Sequence, residues 1–247
     1  MIGDFKNRAD AGRQLGAAVH HLHLTDPLVL ALPRGGVPVA AEVARALGAP
    51  LDLLIVRKIG APGEPELAVA AIAEGDPPTT VIDEVTADGT DTDSAYIKHE
   101  VRTQRGEIER RSQTYRHGVA RLVVAGKTVV VVDDGIATGT TMRAALKALR
   151  RLGPAKVVLA VPVAANATIY ELSKLVDDVV CLSQPGQFRS VGTYYADFHQ
   201  VDDAEVIALL DASRIPHEPA ARELRSGEAP LILPSRSEPP DPPGEPL

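Results

Sequence analysis

The sequence predicts an α/β protein with a mainly parallel sheet flanked by helices. Three observations point there. Apolar runs of strand length alternate with helical periodicity through most of the chain, as in β-α-β units. The run Val129-Val130-Val131-Val132 is apolar and β-branched at every position, which suits a strand buried on both faces. It stops at two carboxylates, Asp133 and Asp134, and a loop rich in Gly and Thr then leads into a new helical pattern. Open α/β sheets bind ligands at the carboxyl ends of their strands, so this loop is the first place to look for a site.

The elements follow in order. Residues 5 to 24 read as a helix with Leu15, Val19 and Leu22 on one side. Leu28 to Leu32 is a short strand that runs into Pro33-Arg34-Gly35-Gly36, and a second helix spans about Pro38 to Leu47. Leu51 to Val56 is a strand ending at Arg57-Lys58; Leu67 to Ala73 and Thr79 to Ile82 read as further strands. Residues 95 to 117 are charged and helical in tone. After Val132 a helix runs from about Thr141 to Leu152, with Met142, Ala145, Leu146 and Leu149 on its apolar side. A strand at Lys156 to Val163, a helix at about Ala165 to Leu175 and a strand at Val179 to Leu182 complete the alternation. From Ser226 onward the chain holds seven prolines, and Pro-Pro-Asp-Pro-Pro at 239 to 243 excludes a helix or an inner strand. The reading is one domain over residues 1–215 and a disordered Pro-rich tail over 226–247.

Composition narrows the function. Of 247 residues 45% are apolar, enough for a real core, but aromatics are only 3%, so that core is built of Val, Leu, Ile and Ala. A net charge of −7 argues against a nucleic-acid surface and against an anionic membrane. The lone Cys181 lies in an apolar run and reads as a buried strand residue; one cysteine permits neither an internal disulfide nor a Cys-based zinc site. There is no apolar leader and no run of membrane-spanning length. A cytoplasmic enzyme fits these features.

The loop after Val132 has parts with separate physical uses. Gly135 and Gly139 allow positive φ and close approach to an anion. Amides at a helix N-terminus attract phosphate. Thr138, Thr140 and Thr141 add hydroxyl donors. Asp133 and Asp134 would repel a phosphate, so they face something else: sugar hydroxyls, a metal-bound water or a developing positive charge. Alternatively, the carboxylates only cap a helix. A second strand-to-helix junction, Arg34-Gly35-Gly36, offers exposed backbone amides and a planar fork of donors for phosphate. Arg57 and Lys58 could meet a diphosphate, bridge across a dimer, or sit in a solvated turn. Glu66 and Glu74 are weaker candidates. His20, His21 and His23 fit no metal spacing and read as a solvated helix end. Gly126-Lys127-Thr128 precedes a strand instead of following one and reads as a turn, not a nucleotide loop.

The stretch 129–141 resembles the phosphoribosyl diphosphate (PRPP) signature of the type I phosphoribosyltransferases: four apolar residues, two acidic ones, then a small Gly/Thr loop. The likeness covers roughly residues 5 to 212. The arrangement Phe5…Arg8…Gly12, Pro33-Arg34-Gly35-Gly36, Arg57-Lys58-Ile59-Gly60 and Asp133-Asp134-Gly135 is similar to a bacterial group whose acceptor is not established. The resemblance implies a type I phosphoribosyltransferase-like fold with a small hood, here about 1–25 and 183–200. It implies that Asp133 and Asp134 contact the ribose hydroxyls and hold Mg2+ through water. Gly135, Ala137, Thr138, Gly139, Thr140 and Thr141 would cradle the 5-phosphate. Arg34, Gly35, Gly36, Arg57 and Lys58 would meet the diphosphate, in a loop that often contains a non-proline cis peptide.

The implied activity is transfer of 5-phosphoribosyl to a small nitrogenous acceptor, in a homodimer, with Mg2+ as cofactor. A non-catalytic protein that senses PRPP or a nucleotide on the same fold is the alternative. Two of three Phe and two of five Tyr fall between Phe188 and Phe198. Phe188 or Tyr194 could stack on the base, or the cluster could simply hold the hood to the core. The charged segment 83–118 reads either as a mobile lid or as a surface helix with i,i+4 pairs. Enzymes that salvage hypoxanthine and guanine usually carry Asp at the position of Ala137, so the methyl group here counts against that acceptor class.

Overall fold

The computed structural model describes residues 4–75, 78–214 and 232–234. In chain order the elements are α1 (Arg8–His20), β1 (Pro27–Ala31), α2 (Gly36–Leu47), β2 (Leu51–Leu53), β3 (Val56–Ala61), β4 (Glu64–Ala73), β5 (Thr79–Ile82), α3 (Glu84–Gly89) and α4 (Ser94–Arg116). There follow β6 (Thr128–Val132), α5 (Thr140–Arg151), β7 (Lys156–Val163), α6 (Asn166–Ser173), β8 (Asp178–Ser183), a short 3-10 turn (Val191–Tyr194), α7 (Asp203–Ser213) and β9 (Ile232–Pro234).

The main sheet has the order β2-β1-β6-β7-β8-β9. Its first five strands are parallel, and β9 adds to the β8 edge antiparallel. The continuous apolar runs are explained by burial on both faces. Val130 and Val132 face one layer with Leu15, Val19, Val43, Val206 and Leu210 from α1, α2 and α7. Val129 and Val131 face the other with Leu146, Leu149, Ile169 and Leu172 from α5 and α6. A central strand so enclosed needs an apolar side chain at every position.

Helix ends follow local chemistry. Asn7, Asp83, Asp93 and Asp202 each accept a backbone amide of the first turn of α1, α3, α4 and α7. Gly48 closes α2 in the left-handed region, at φ 60°.

Two expectations need correction. The strand predicted over 51–56 is two strands. β2 ends at Leu53, and β3 leaves for a separate antiparallel sheet of order β3-β4-β5. Periodicity alone could not separate them, because Leu54 and Ile55 at the crossing are themselves buried. The second helix begins at Gly36, two residues before Pro38. Within the Pro-rich tail over 226–247, Ile232–Pro234 pairs with the β8 edge; the rest of that tail lies outside the described residues.

The charged segment folds as α3 and the long α4, with Arg105–Glu109, Arg110–Glu107 and Arg111–Glu107 pairs on its surface. No helix among the described residues is long and apolar enough to cross a membrane.

Candidate active site

Sheet register builds the site. Ala31 of β1 lies opposite Val132 of β6, and the Leu32 amide donates to the Val132 carbonyl at 3.0 Å. The two strands therefore end side by side, and Pro33-Arg34-Gly35-Gly36 emerges against Asp133-Asp134. The approach leaves no room for side chains on the glycines. A Cβ on Gly35 would lie 2.2 Å from Asp134 Oδ2, and one on Gly36 would lie 2.8 Å from the Val132 carbonyl and 2.9 Å from Asp133 Cα.

This changes the reason for the two glycines. They serve the packing of one loop on the other, and the Gly36 amide is spent on the Leu32 carbonyl at 3.1 Å instead of being exposed. The Pro33–Arg34 peptide is cis, as the resemblance implies. The Arg34 guanidinium turns to Asp203 at the start of α7, at 3.4 Å, and Tyr115 of α4 donates to the same carboxylate oxygen at 2.9 Å.

Beyond Asp134 the loop runs beside the end of β7. The Ile136 amide donates to Val163, and Thr168 of α6 donates to the Ala137 carbonyl at 2.7 Å. Gly135 is tight for a packing reason: a Cβ there would meet the Val191 side chain at 2.6 Å, and its φ is not positive. Gly139 does take a positive φ, 72°, and caps α5. Thr140 and Thr141 form the first turn of α5, where helix geometry leaves amide donors without helical partners. Ala137, Thr138 and Thr141 are exposed. This is the layout of an anion cradle.

The carboxylates are electrostatically unequal. Burial, then the neighbouring charge of Asp134, pushes the Asp133 carboxyl well above the ordinary 3.8. Burial also raises Asp134, but Arg8 works in the opposite direction through a 2.8 Å hydrogen-bonded ion pair. Arg8, the first residue of α1, is a partner the sequence analysis did not single out as a site residue. Its side chain reaches across 126 positions of sequence. Only its place in the Phe5…Arg8…Gly12 spacing could have pointed to it.

Segments from the two ends assigned to the hood meet beside the acidic pair. Phe5 forms a parallel bridge with Tyr195, and Phe5, Ala11, Val163 and Tyr195 make a small core with Phe188, Val191 and Tyr194 packed on it. Between them α1 packs on α2 in the helical layer, and Leu15 and Val19 join the main core. Phe188 and Tyr194 lie on each other, with ring centres 5.5 Å apart. Both stay half-buried, so each offers at most part of a face.

Arg57 and Lys58 sit inside β3, off the main sheet. Arg57 donates to Gln104 of α4 at 3.0 Å, and Lys58 lies opposite Ala71. The structure thus gathers Arg34, Gly35, Gly36, Asp133, Asp134 and Gly135 in one place and sets the cradle 137–141 immediately after them, with Arg57 drawn aside towards α4.

Glu74 is structural: with Asp52 it holds the buried Arg116. The side chain of Glu66 lies outside the described residues. No group of three or more His, Cys, Asp or Glu that could hold a metal occurs among the described residues, and the three histidines stand at the end of α1. The two adjacent carboxylates fit a hydrated Mg2+ carried by substrate phosphates, which commonly uses one or two protein carboxylates, and do not fit a resident all-protein metal site.

The chain is similar to known proteins. The model of the phosphoribosyl transferase domain matches residues 1–197. Two Mycobacterium tuberculosis proteins, from strains CDC 1551 and H37Rv and named provisionally as phosphoribosyl transferases, are 45% identical over 207 residues. That alignment takes in 84% of this chain but 46% of each relative, so the chain spans about half the length of the curated relatives it matches. The crystal structure of TT1426 from Thermus thermophilus is 43% identical and superposes with a TM-score of 0.77, over 85% of this chain and 98% of that one. On the family match over residues 1–197, this chain belongs to the phosphoribosyl transferase domain family.

Proposed function

We propose that the chain transfers the 5-phosphoribosyl group of PRPP to a ring nitrogen of a small base and releases diphosphate. The observation that carries this reading is the close packing of Arg34-Gly35-Gly36 on Asp133-Asp134, at the root of the cradle 137–141. One short surface then offers donors for a diphosphate, carboxylates for a ribose and helix-end amides for a terminal phosphate. In the reaction the bond from the anomeric carbon to the diphosphate oxygen breaks and a carbon–nitrogen bond forms. The electron pair leaves with diphosphate, and the acceptor nitrogen loses its proton.

Each residue has a role under this reading. The amides and hydroxyls of 137–141 bind the 5-phosphate. Asp133 and Asp134 orient the ribose and favour positive charge at its anomeric carbon. Arg34 exchanges Asp203 for the departing diphosphate, assisted by Lys58. Mg2+, when bound with PRPP, neutralises charge on the diphosphate. Phe188 and Tyr194 border the base. Ala137 places a methyl group where 6-oxopurine salvage enzymes usually carry a carboxylate, which favours another acceptor class.

The test is calorimetry with PRPP and Mg2+, then a diphosphate-release screen over purines, pyrimidines and other nitrogen heterocycles. Release with one acceptor supports the transferase. Binding without release for any acceptor replaces it with a PRPP-sensing regulator, and absence of binding removes both.

A further inference from the structure

We infer that Arg8 is a positioning residue that latches the aromatic segment 195–199 onto the acidic pair, an inference that rests on the ribose-site reading of Asp134. One guanidinium makes three different contacts. Its Nε donates to Asp134 Oδ2 at 2.8 Å, its Nη1 donates to the His199 carbonyl at 2.7 Å, and its centre lies 3.8 Å from the centroid of the Phe198 ring. Arg8 is 6% exposed, although Phe198 and His199 are themselves exposed residues. The cation is therefore enclosed between the two things it joins, where charge-assisted bonds and cation–π contact count most.

Neighbouring contacts define what Arg8 alone contributes. Residues 5–6 already tie 194–197 by backbone bonds: Phe5 to Tyr194, Ala196 to Phe5 and Asp197 to Lys6. Tyr195 adds a bond from its hydroxyl to the Asp134 carbonyl at 2.5 Å. The Tyr195 ring also lies 5.0 Å from the Phe198 ring, centre to centre, and the His199 amide and imidazole meet Asp197 and Glu205, but none of these contacts joins Phe198, the His199 carbonyl and the Asp134 carboxylate.

Arg8 links those three, so the orientation of the ribose carboxylate and the seating of 198–199 share one cation. Arginine is suited to this because its planar fork donates in two directions while its face covers a ring; a lysine ammonium can keep the ion pair but not the whole arrangement. The position is set early in the chain. Asn7 caps α1, and Arg8, the first helical residue, starts its side chain beside the Phe5–Tyr195 bridge.

The test compares wild type, Arg8→Gln and Arg8→Lys by two readouts. The first is amide hydrogen exchange of the ligand-free proteins. Arg8→Gln is expected to speed exchange across 196–201 by about tenfold or more, as loss of a bond to a charged group implies, with β6 and β7 unchanged. The second is the affinity for PRPP with Mg2+. It is expected to fall about tenfold in Arg8→Gln and to recover to within about threefold of wild type in Arg8→Lys, while exchange at 196–201 stays fast.

That split between affinity and exchange is one that a general loss of stability would not give. Unchanged exchange in Arg8→Gln overturns the latch, and unchanged PRPP affinity overturns the positioning role. Should Arg8→Gln not fold, Arg8→Lys decides the latch by the same exchange comparison. If the wild type binds no PRPP, the ribose-site reading and the positioning role fall together, while the exchange data still decide the latch.

Discussion

Gly35 lies directly against the carboxylate of Asp134: its missing side chain is the space that Asp134 Oδ2 fills. The contact joins residues almost a hundred positions apart and lets the Arg-Gly-Gly loop and the acidic pair share one surface.

Gly35→Ala tests that contact. The new methyl group would sit 2.2 Å from Asp134 Oδ2, so the carboxylate must move off Arg8. Overpacking of this kind costs about 1–3 kcal/mol of stability, measured by urea unfolding. PRPP affinity should fall by more than the stability loss explains at temperatures where the variant is fully folded. An alanine variant with wild-type affinity would show that the two loops act separately.

Asp133 is held against its own stability. An acid whose folded pKa is raised binds its proton more tightly when folded, so stability falls as pH rises from 3.8 through the folded value. The penalty is fully present above that value and absent below 3.8. Asp133→Asn should therefore raise the melting temperature at neutral pH, and the gain should vanish below pH 3.8. Turnover should fall by about 2.7–4 kcal/mol of barrier, the scale of one preorganised group. Melting curves across pH and single-turnover assays check the two halves. Full turnover in Asp133→Asn/Asp134→Asn would exclude the proposed mechanism.

Arg116 is buried between Asp52 and Glu74, at 2.8 and 2.6 Å. Asp52 also accepts the amides of Leu53 and Leu122, so its charge cannot leave with the guanidinium. Arg116→Leu should cost about 3–5 kcal/mol, because it strands buried carboxylates. Denaturant unfolding measures it. Arg105→Ala, on the exposed face of the same helix, should cost well under about 1 kcal/mol.

Cys181 is enclosed in β8, and burial pushes its thiol up to about 12. The folded protein should resist iodoacetamide at pH 8 and react only as fast as it unfolds. Rapid alkylation without denaturant would contradict the packing of this strand.

Much of the fold was legible because it is written in local patterns. The run Val129 to Val132 forecast a strand enclosed on both faces, and the break at Asp133 forecast the end of that strand and the loop into the next helix. The Gly/Thr spacing acts over a turn or two of chain, so neighbouring residues suffice to read it. Of Gly126-Lys127-Thr128, read as a turn, Gly126 and Lys127 form one, with Gly126 at φ 73° and bonded to Gly153, while Thr128 already opens β6.

What stayed hidden depends on distance in space. Nothing adjacent in sequence tells that β3 leaves the main sheet, because Leu51 to Val56 is apolar on both sides of the crossing. The pairing of Arg34 with Asp203 was not legible either, and Gly135, read for its φ, is instead a packing glycine without positive φ.

The chain by itself thus determined most of the strands and the acidic pair with its Gly/Thr loop, since these follow from periodicity and backbone preference. Only the tertiary structure decided that Gly35 and Gly36 press on Asp133 and Asp134, and that Arg8 pairs with the second of those carboxylates and not the first. Those outcomes rest on sheet register and on the low-dielectric enclosure it creates, where partners are chosen by proximity and the need to compensate buried charge.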